Sequence, residues 1–318
     1  MDFKPLANVL AYNSALNTWQ SKSVDLLAKT VALDEVCYIF LEDGLWFKGE
    51  DSDGKREDDR WKILEPLGVP RFLANQLCTD LNGYFGCKSS VRASSDPDAA
   101  ELETLGSPST ATGSRQAYLC GAQTVTWFRI LTKKVLMPLE PREPDGKDYL
   151  WYEMGIFTQW SEKNTCLILC TATPPKVRTE LTKILATEPK LELRDPFAML
   201  RPLLDEVIRC CNENTWRLSQ QVRAVEKKRE EIPSFESLHN LLRHTCHLVE
   251  VENVAIETME HLVRRQESNF TLLSKVLLQK DRDQAKEYLA FQLQMMKSLK
   301  WRAQASHDRL QGEINLVT

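Results

Sequence analysis

The sequence is poor in glycine where it matters most: Gly312 is the only glycine after Gly155, so the second half has few places to turn and reads as long helices. No window approaches the roughly 18 to 20 consecutive apolar residues that a membrane helix needs, so no span is expected within this sequence. The first residues, MDFKPLANVLAY, carry one lysine and no apolar core of a secretory leader. There is no excess of positive charge. Lys and Arg number 41 against 45 Asp and Glu, the net charge is -4 and the pI is about 5.9, which argues against nucleic acid as a partner. Gly-x-Gly-x-x-Gly, Gly-x-x-x-x-Gly-Lys-Ser/Thr and Gly-x-Ser-x-Gly are all missing, which removes the usual nucleotide cradles and the nucleophile elbow. Nothing in the sequence argues for an enzyme. Metal-type cysteine spacing is also lacking: the nine cysteines include Cys166-x-x-x-Cys170 and adjacent Cys210 and Cys211, neither accompanied by a second pair. They read as small buried thiols in a reducing, intracellular protein.

What is present is enough apolar surface for a core, 42% of 318 residues, and two regions of different character. The first, 1–188, reads as a mixed α/β cytoplasmic domain. Cys37–Leu41 and Leu45–Phe47 flank an acidic Glu42-Asp43-Gly44 turn, the pattern of a hairpin. After a charged loop from Glu50 to Arg60, the spacing of Phe72, Leu73, Leu77 and Leu81 predicts a helix within Lys62–Gly83. The stretch 89–115, rich in Ser, Ala, Asp, Gly and Pro, reads as a flexible insertion. Gln116–Pro138, Tyr149–Trp160 and Thr165–Thr173 are rich in Val, Ile, Thr and aromatic residues and predict the strands of an antiparallel meander. The expected fold class is α+β with a largely antiparallel sheet.

The second region, 195–318, predicts three long helices of coiled-coil character. Asp195 followed by Pro196 gives a helix cap and a proline at the first helical position. Phe197, Leu204, Cys211, Leu218 and Val225 then recur every seven residues. After Pro233 and a second cap at Ser234, the pairs Leu241/Leu242, Leu248/Val249, Ala255/Ile256 and Leu262/Val263 repeat at the same interval. A third helix, about 281–318, places Leu289, Met296, Ala303, Leu310 and Val317 in heptad register, with Leu293 and Ile314 on the second seam position. Lys300 and His307 interrupt that second position, a half-polar seam that points to a partner or a subunit axis. The last helix carries no capping glycine or proline after Val317 and is expected to be cut rather than terminated. Glu250, Glu252, Glu257 and Glu260 load the second helix, and Lys297, Lys300, Arg302 and Arg309 the third. They read as solvated faces or as an acidic helix set against a basic one.

Candidate ligand groups are sparse. His244 and His247 could share one side of a helix at i, i+3, with Cys246 between them. His239 falls on another face, however, so a full metal ligand set is missing. Asp51, Asp53, Asp58 and Asp59 cluster in the charged loop and read as a solvated acidic loop before they read as a weak Mg2+ site, since calcium-loop spacing and a bidentate glutamate are missing. Trp127, Phe128, Trp151, Tyr152, Phe157 and Trp160 read as core or sheet face more than as a pocket. No cofactor is expected with certainty.

The segments DPFAMLRPLLDEVI, NTWRLSQQVRAVEKKRE, SFESLHNLLRHTCHLVEVENVAIETMEHLV and LKWRAQASHDRLQGEINLV, with YLWYEMGIFTQW and TCLILC upstream, resemble the soluble domain of fungal CorA-like magnesium or divalent metal-ion transporters. The resemblance implies an α/β cytoplasmic domain, long helices, a stalk entering the first of two membrane helices, and a homo-oligomer. It also implies regulatory metal bound by carboxylates between subunits, although no carboxylate here can be matched to them. The family's Gly-Met-Asn signature and both membrane helices are absent from the sequence. The expectation is a cytoplasmic regulatory or assembly domain that is not transport-competent as written. Its partners would be copies of itself or full-length CorA-like subunits, and it would meet a membrane only through the missing helices. The other reading is an intracellular scaffold or adaptor unrelated to ions.

Overall fold

The computed structural model describes residues 6–26, 36–41, 55–74, 78, 81–93, 119–163, 165–187, 194–227, 235–273 and 277–317. Its sheet has seven strands: β1 (Leu6–Asn13), β2 (Thr18–Asp25), β3 (Val36–Leu41), β4 (Gly83–Ala93), β5 (Leu119–Val135), β6 (Tyr149–Ser161) and β7 (Thr165–Thr171). They lie in the order β2-β1-β3-β7-β6-β5-β4. The β3–β7 pair is parallel, and the other five pairings are antiparallel. The class is α+β as the sequence implied. β3 is buried along its whole length because both its faces are covered, which is why it reads as an unbroken apolar run.

Helices cover both sides. On one side α1 (Lys55–Leu64) and two 3-10 turns set Ile63, Leu64, Leu67 and Val69 against Val9, Ile39, Phe157 and Leu169. On the other lie α2 (Pro175–Thr187), α3 (Leu200–Lys227), α4 (Phe235–Leu273) and α5 (Gln279–Val317). The largest core runs from Tyr38, Ile130 and Ile168 through Leu181 of α2 and Leu204 of α3 to Met259 of α4 and Met296 of α5. Helices α4 and α5 have 39 residues each, about 58 Å at 1.5 Å per residue.

Several local expectations change. The helix placed at 62–83 starts earlier, within the charged loop, and ends at Leu64. A single 3-10 turn spans Glu65–Leu67 with Pro66 within it, Gly68 takes the left-handed conformation at φ 69°, and a second 3-10 turn spans Arg71–Ala74. Pro66, Gly68 and Pro70 thus break a pattern whose apolar spacing alone looked continuous. The insertion expected at 89–115 overlaps a strand as far as Ala93; its remainder, 94–115, is outside the described residues. Both edges of β3 are taken by β1 and β7, so Cys37–Leu41 is not one arm of a local hairpin. Leu45–Phe47 and the acidic residues Asp51 and Asp53 also lie outside the described residues.

Candidate functional site

The helix expected to start at Asp195 and Pro196 begins five residues later, at Leu200; Asp195 instead closes a turn ahead of it, its Oδ1 accepting from the Phe197 backbone N–H at 2.7 Å and its carbonyl from Ala198 N–H at 3.1 Å, with the side chain buried. The heptads that follow become internal contacts. Leu204, Cys211 and Leu218 are buried on α3, and Val225 half-buried. In each pair on α4 the first member, Leu241, Leu248, Ala255 or Leu262, is buried and the second is half-buried.

The seven positions expected as a stalk interface lie on α5. Leu289, Met296, Ala303, Leu310 and Ile314 are buried, packed against core residues of α3 and α4. Leu293 is half-buried and packs on the same core. The side chain of Val317 lies outside the described residues. The polar interruptions also find partners inside the chain. His307 Nδ1 lies 3.0 Å from Thr245 Oγ1, and Lys300 Nζ lies 4.6 Å from the Trp301 ring centre. The stripe therefore holds α5 onto its own chain, and the opposite face is left to solvent. There Phe291, Met295, Trp301 and Leu316 are 60%, 41%, 67% and 73% exposed. Three of them, Phe291, Met295 and Leu316, fall within one narrow arc of the helix, and Trp301 sits at its margin.

The charges expected to set α4 against α5 do so at one point, where Lys297 Nζ meets Glu260 Oε1 at 2.8 Å. Arg309 turns to Glu226 of α3, its Nε 2.6 Å from Oε1, and Arg302 stacks over Trp216 at 3.9 Å. Glu250 accepts from Asn82 at 2.5 Å. These exposed pairs orient helices more than they stabilise them.

Two polar centres lie beneath α4. At the first, the buried Lys133 of β5 points its Nζ at His247 Nδ1, 2.9 Å away, and over the rings of Tyr149 at 3.8 Å and Trp151 at 5.0 Å. His244 is buried beside Tyr149, its Nε2 3.4 Å from Asp148 Oδ1, and neither ring nitrogen makes a hydrogen bond. The two imidazoles do share a side of the helix, but the cation set among them is the protein's own ammonium. Burial, then the Lys133 charge, pushes His244 down to about 4 and also lowers His247. Burial, then Arg243, brings Lys133 down to about 8. Among the described residues no group of three or more His, Cys, Asp or Glu is arranged to hold a metal.

At the second centre Glu252 is buried between α3 and α4, with Oε1 2.6 Å from Thr215 Oγ1 and Oε2 without a partner. Burial pushes its carboxyl up to about 7, and the Thr215 contact opposes that shift. Thr215 has one hydroxyl hydrogen and two acceptors in reach, Glu252 Oε1 and Cys211 O at 2.9 Å. Protonated, Glu252 supplies its own hydrogen to Thr215, whose hydroxyl then serves Cys211, so both contacts are met. Sequence reasoning took Glu252 for part of an acidic surface; its neighbours Val251 and Ala255, both buried, were the available signal.

Neither a family model nor a curated protein matches this sequence. Solved structures do. The soluble domain of CorA from Methanocaldococcus jannaschii is 12% identical with a TM-score of 0.51, over 100% of this chain and 98% of that one. The complete CorA magnesium transporter of the same organism is 12% identical with a TM-score of 0.49, over 100% of this chain and 77% of that one. The ZntB cytoplasmic domain from Vibrio parahaemolyticus is 10% identical with a TM-score of 0.44, over 98% and 99%. The first match shows a shared fold along the whole chain, and at that identity it shows the fold alone.

Proposed function

We propose that this chain is a soluble regulatory and assembly domain of a CorA-type divalent-cation transport system, and that the outer face of α5 is its assembly surface. The fold it shares with the CorA soluble domain supports the first part. The observation that carries the second is the row of exposed Phe291, Met295, Trp301 and Leu316 on a helix whose other face is already filled by its own chain. Among the described residues no helix is long and apolar enough to cross a membrane, so those residues offer no helical path on which a cation could shed its hydration shell. The partners are then further copies of this chain or longer subunits of the same fold, and magnesium acts by neutralising carboxylates brought together on assembly.

Sedimentation equilibrium of the purified chain with and without millimolar magnesium tests this. Self-association is expected, stronger with magnesium, and a Phe291→Glu, Trp301→Glu double variant with unchanged circular dichroism should be monomeric. A wild-type chain that stays monomeric at every magnesium concentration overturns the proposal.

A further inference from the structure

The apolar core beneath the long helices is divided into two clusters. Helix α3 passes from one to the other between Cys211 and Leu218, α4 between Ala255 and Val251, and α5 between Leu299 and Ala303. The contact of Ser219 with Ser306 at 2.8 Å sets α3 and α5 in a register that brings these breaks to one level. A buried polar layer fills it: Thr132 of β5, Asn214 and Thr215 of α3 and Glu252 of α4. Asn214 Nδ2 donates to Thr132 Oγ1 at 3.3 Å, and Thr215 Oγ1 meets Glu252 Oε1 at 2.6 Å, so the layer ties strand to helix and helix to helix. Such a layer holds firmly while every member is satisfied and is costly when one is not.

Here the balance turns on one hydrogen. With the carboxyl protonated, Thr215 accepts from Glu252 and donates to Cys211 O, and both contacts are made. As a carboxylate, Glu252 takes the Thr215 hydrogen and keeps a charged Oε2 that has no partner and is buried. Water relieves that cost once α4 parts from α3 at this level. The surrounding groups bring no opposite charge to it. The Cys211 thiol of α3 is raised well above its ordinary value, by burial first and then by Cys210 and Glu252; Lys133 of β5 turns its ammonium to His247; and His307 of α5 lies on Thr245. On α4 itself, Leu248 and Ile256, one turn to either side, are apolar. Burial, opposed by Thr215, pushes the Glu252 carboxyl up to about 7, within reach of ordinary changes in pH.

We infer that this layer is a proton-operated hinge: protonated Glu252 locks the two parts of the helical module together, and its carboxylate lets α3 and α4 part there. The C-terminal ends of α3 and α5, the N-terminal end of α4 and the end of β5 share the second cluster, so they move as one piece against the rest of the sheet. The hinge stands whether or not α5 assembles copies of the chain.

Hydrogen exchange read by mass spectrometry on the whole chain at pH 5.5 and pH 8, with Glu252→Gln as the uncharged reference at each pH, tests this. The glutamine amide can donate to Thr215 as the protonated acid does. In segments 211–225 and 238–252 the ratio of wild-type to variant exchange rates should rise at least about tenfold from pH 5.5 to pH 8, because the open form releases the carboxyl from burial. In β3 and β7 the ratio should stay the same. A ratio independent of pH in the helical segments overturns the inference. So does an equal rise in β3 and β7, which reports unfolding of the whole chain. Should the variant not fold, wild-type rates corrected for intrinsic exchange decide in its place: the helical segments must outpace β3 and β7 by the same factor between the two pH values, and a parallel dependence overturns the hinge.

Discussion

The two polar centres under α4 are built from opposite charges and behave alike. The lysine and histidines at Lys133, His244 and His247 and the acid at Glu252 are each pushed by burial toward the neutral form, down for the bases and up for the acid. They sit about two turns apart on one helix, both near the long strand β5, yet each is served by its own neighbours: aromatic rings for the ammonium, a hydroxyl for the acid. The difference between them lies in their dependence on pH. An acid raised in the folded state binds more protons folded than unfolded, so its contribution declines as pH rises; a lowered histidine does the reverse. One helix thus carries two opposed slopes over the mildly acidic range.

The largest effect expected is at Glu252. Its charging cost is absent below the ordinary carboxyl value of 4.5 and complete above about 7. Glu252→Gln keeps the shape and removes the charge, so it should stabilise the chain at pH 8 relative to wild type by up to about 3 kcal/mol, and by little at pH 4.5. Urea unfolding across pH 4 to 8 reads this directly. A difference that does not grow with pH would show that Glu252 is not held neutral by burial.

His244 should give a smaller effect of opposite sign. In the folded chain it resists protonation down to about 4, whereas the unfolded histidine protonates near 6.5, so stability is lost as pH falls through that window. His244→Leu removes the loss and leaves the Tyr149 contact apolar. Relative to wild type, the variant should gain about 1 kcal/mol between pH 7 and pH 4.5, a value reduced from full linkage because the neighbouring Asp148 is partly exposed. If the two profiles run parallel over that range, His244 is protonated in the folded state and the centres do not oppose one another.

These contrasts were only partly legible in the sequence. The meander β5-β6-β7 and the long helices followed from β-branched runs and heptads, all local signals, whereas the cap read at Asp195 and Pro196 closes a turn and the helix starts at Leu200. The heptads of α5 located its buried stripe. They carried no information on whether α3 and α4 of the same chain or another subunit would fill it, because register depends on spacing and partner identity on three-dimensional order. Helix α2 was passed over although Val177, Leu181 and Leu185 recur every four residues behind Pro175, a pattern masked by its position at a domain border. Strands β1 and β2 were also missed, since β2 is mostly exposed and its sequence, TWQSKSVD, is polar. The row of Tyr84, Arg129, Gly155 and Thr171 across β4, β5, β6 and β7 was beyond any local reading: its members come from four strands, and only the sheet register brings them together.

The smallest effect, and the one that isolates the basic centre, comes from Lys133. Its ammonium contributes to lowering both His244 and His247, after burial in each case, and replacing it with methionine removes that charge while leaving an apolar chain among Tyr149 and Trp151. Both histidines should then titrate at higher pH than in wild type, with His247 moving toward its ordinary value and His244 still held low by burial. Fold stability should change little, since the lost cation–π contacts and the relieved desolvation of the lysine oppose each other. Imidazole NMR titration of Lys133→Met measures the two shifts separately. Movement of His247 alone would leave burial as the only force on His244; movement of neither would detach the lysine from the histidines and reduce the basic centre to three independent side chains.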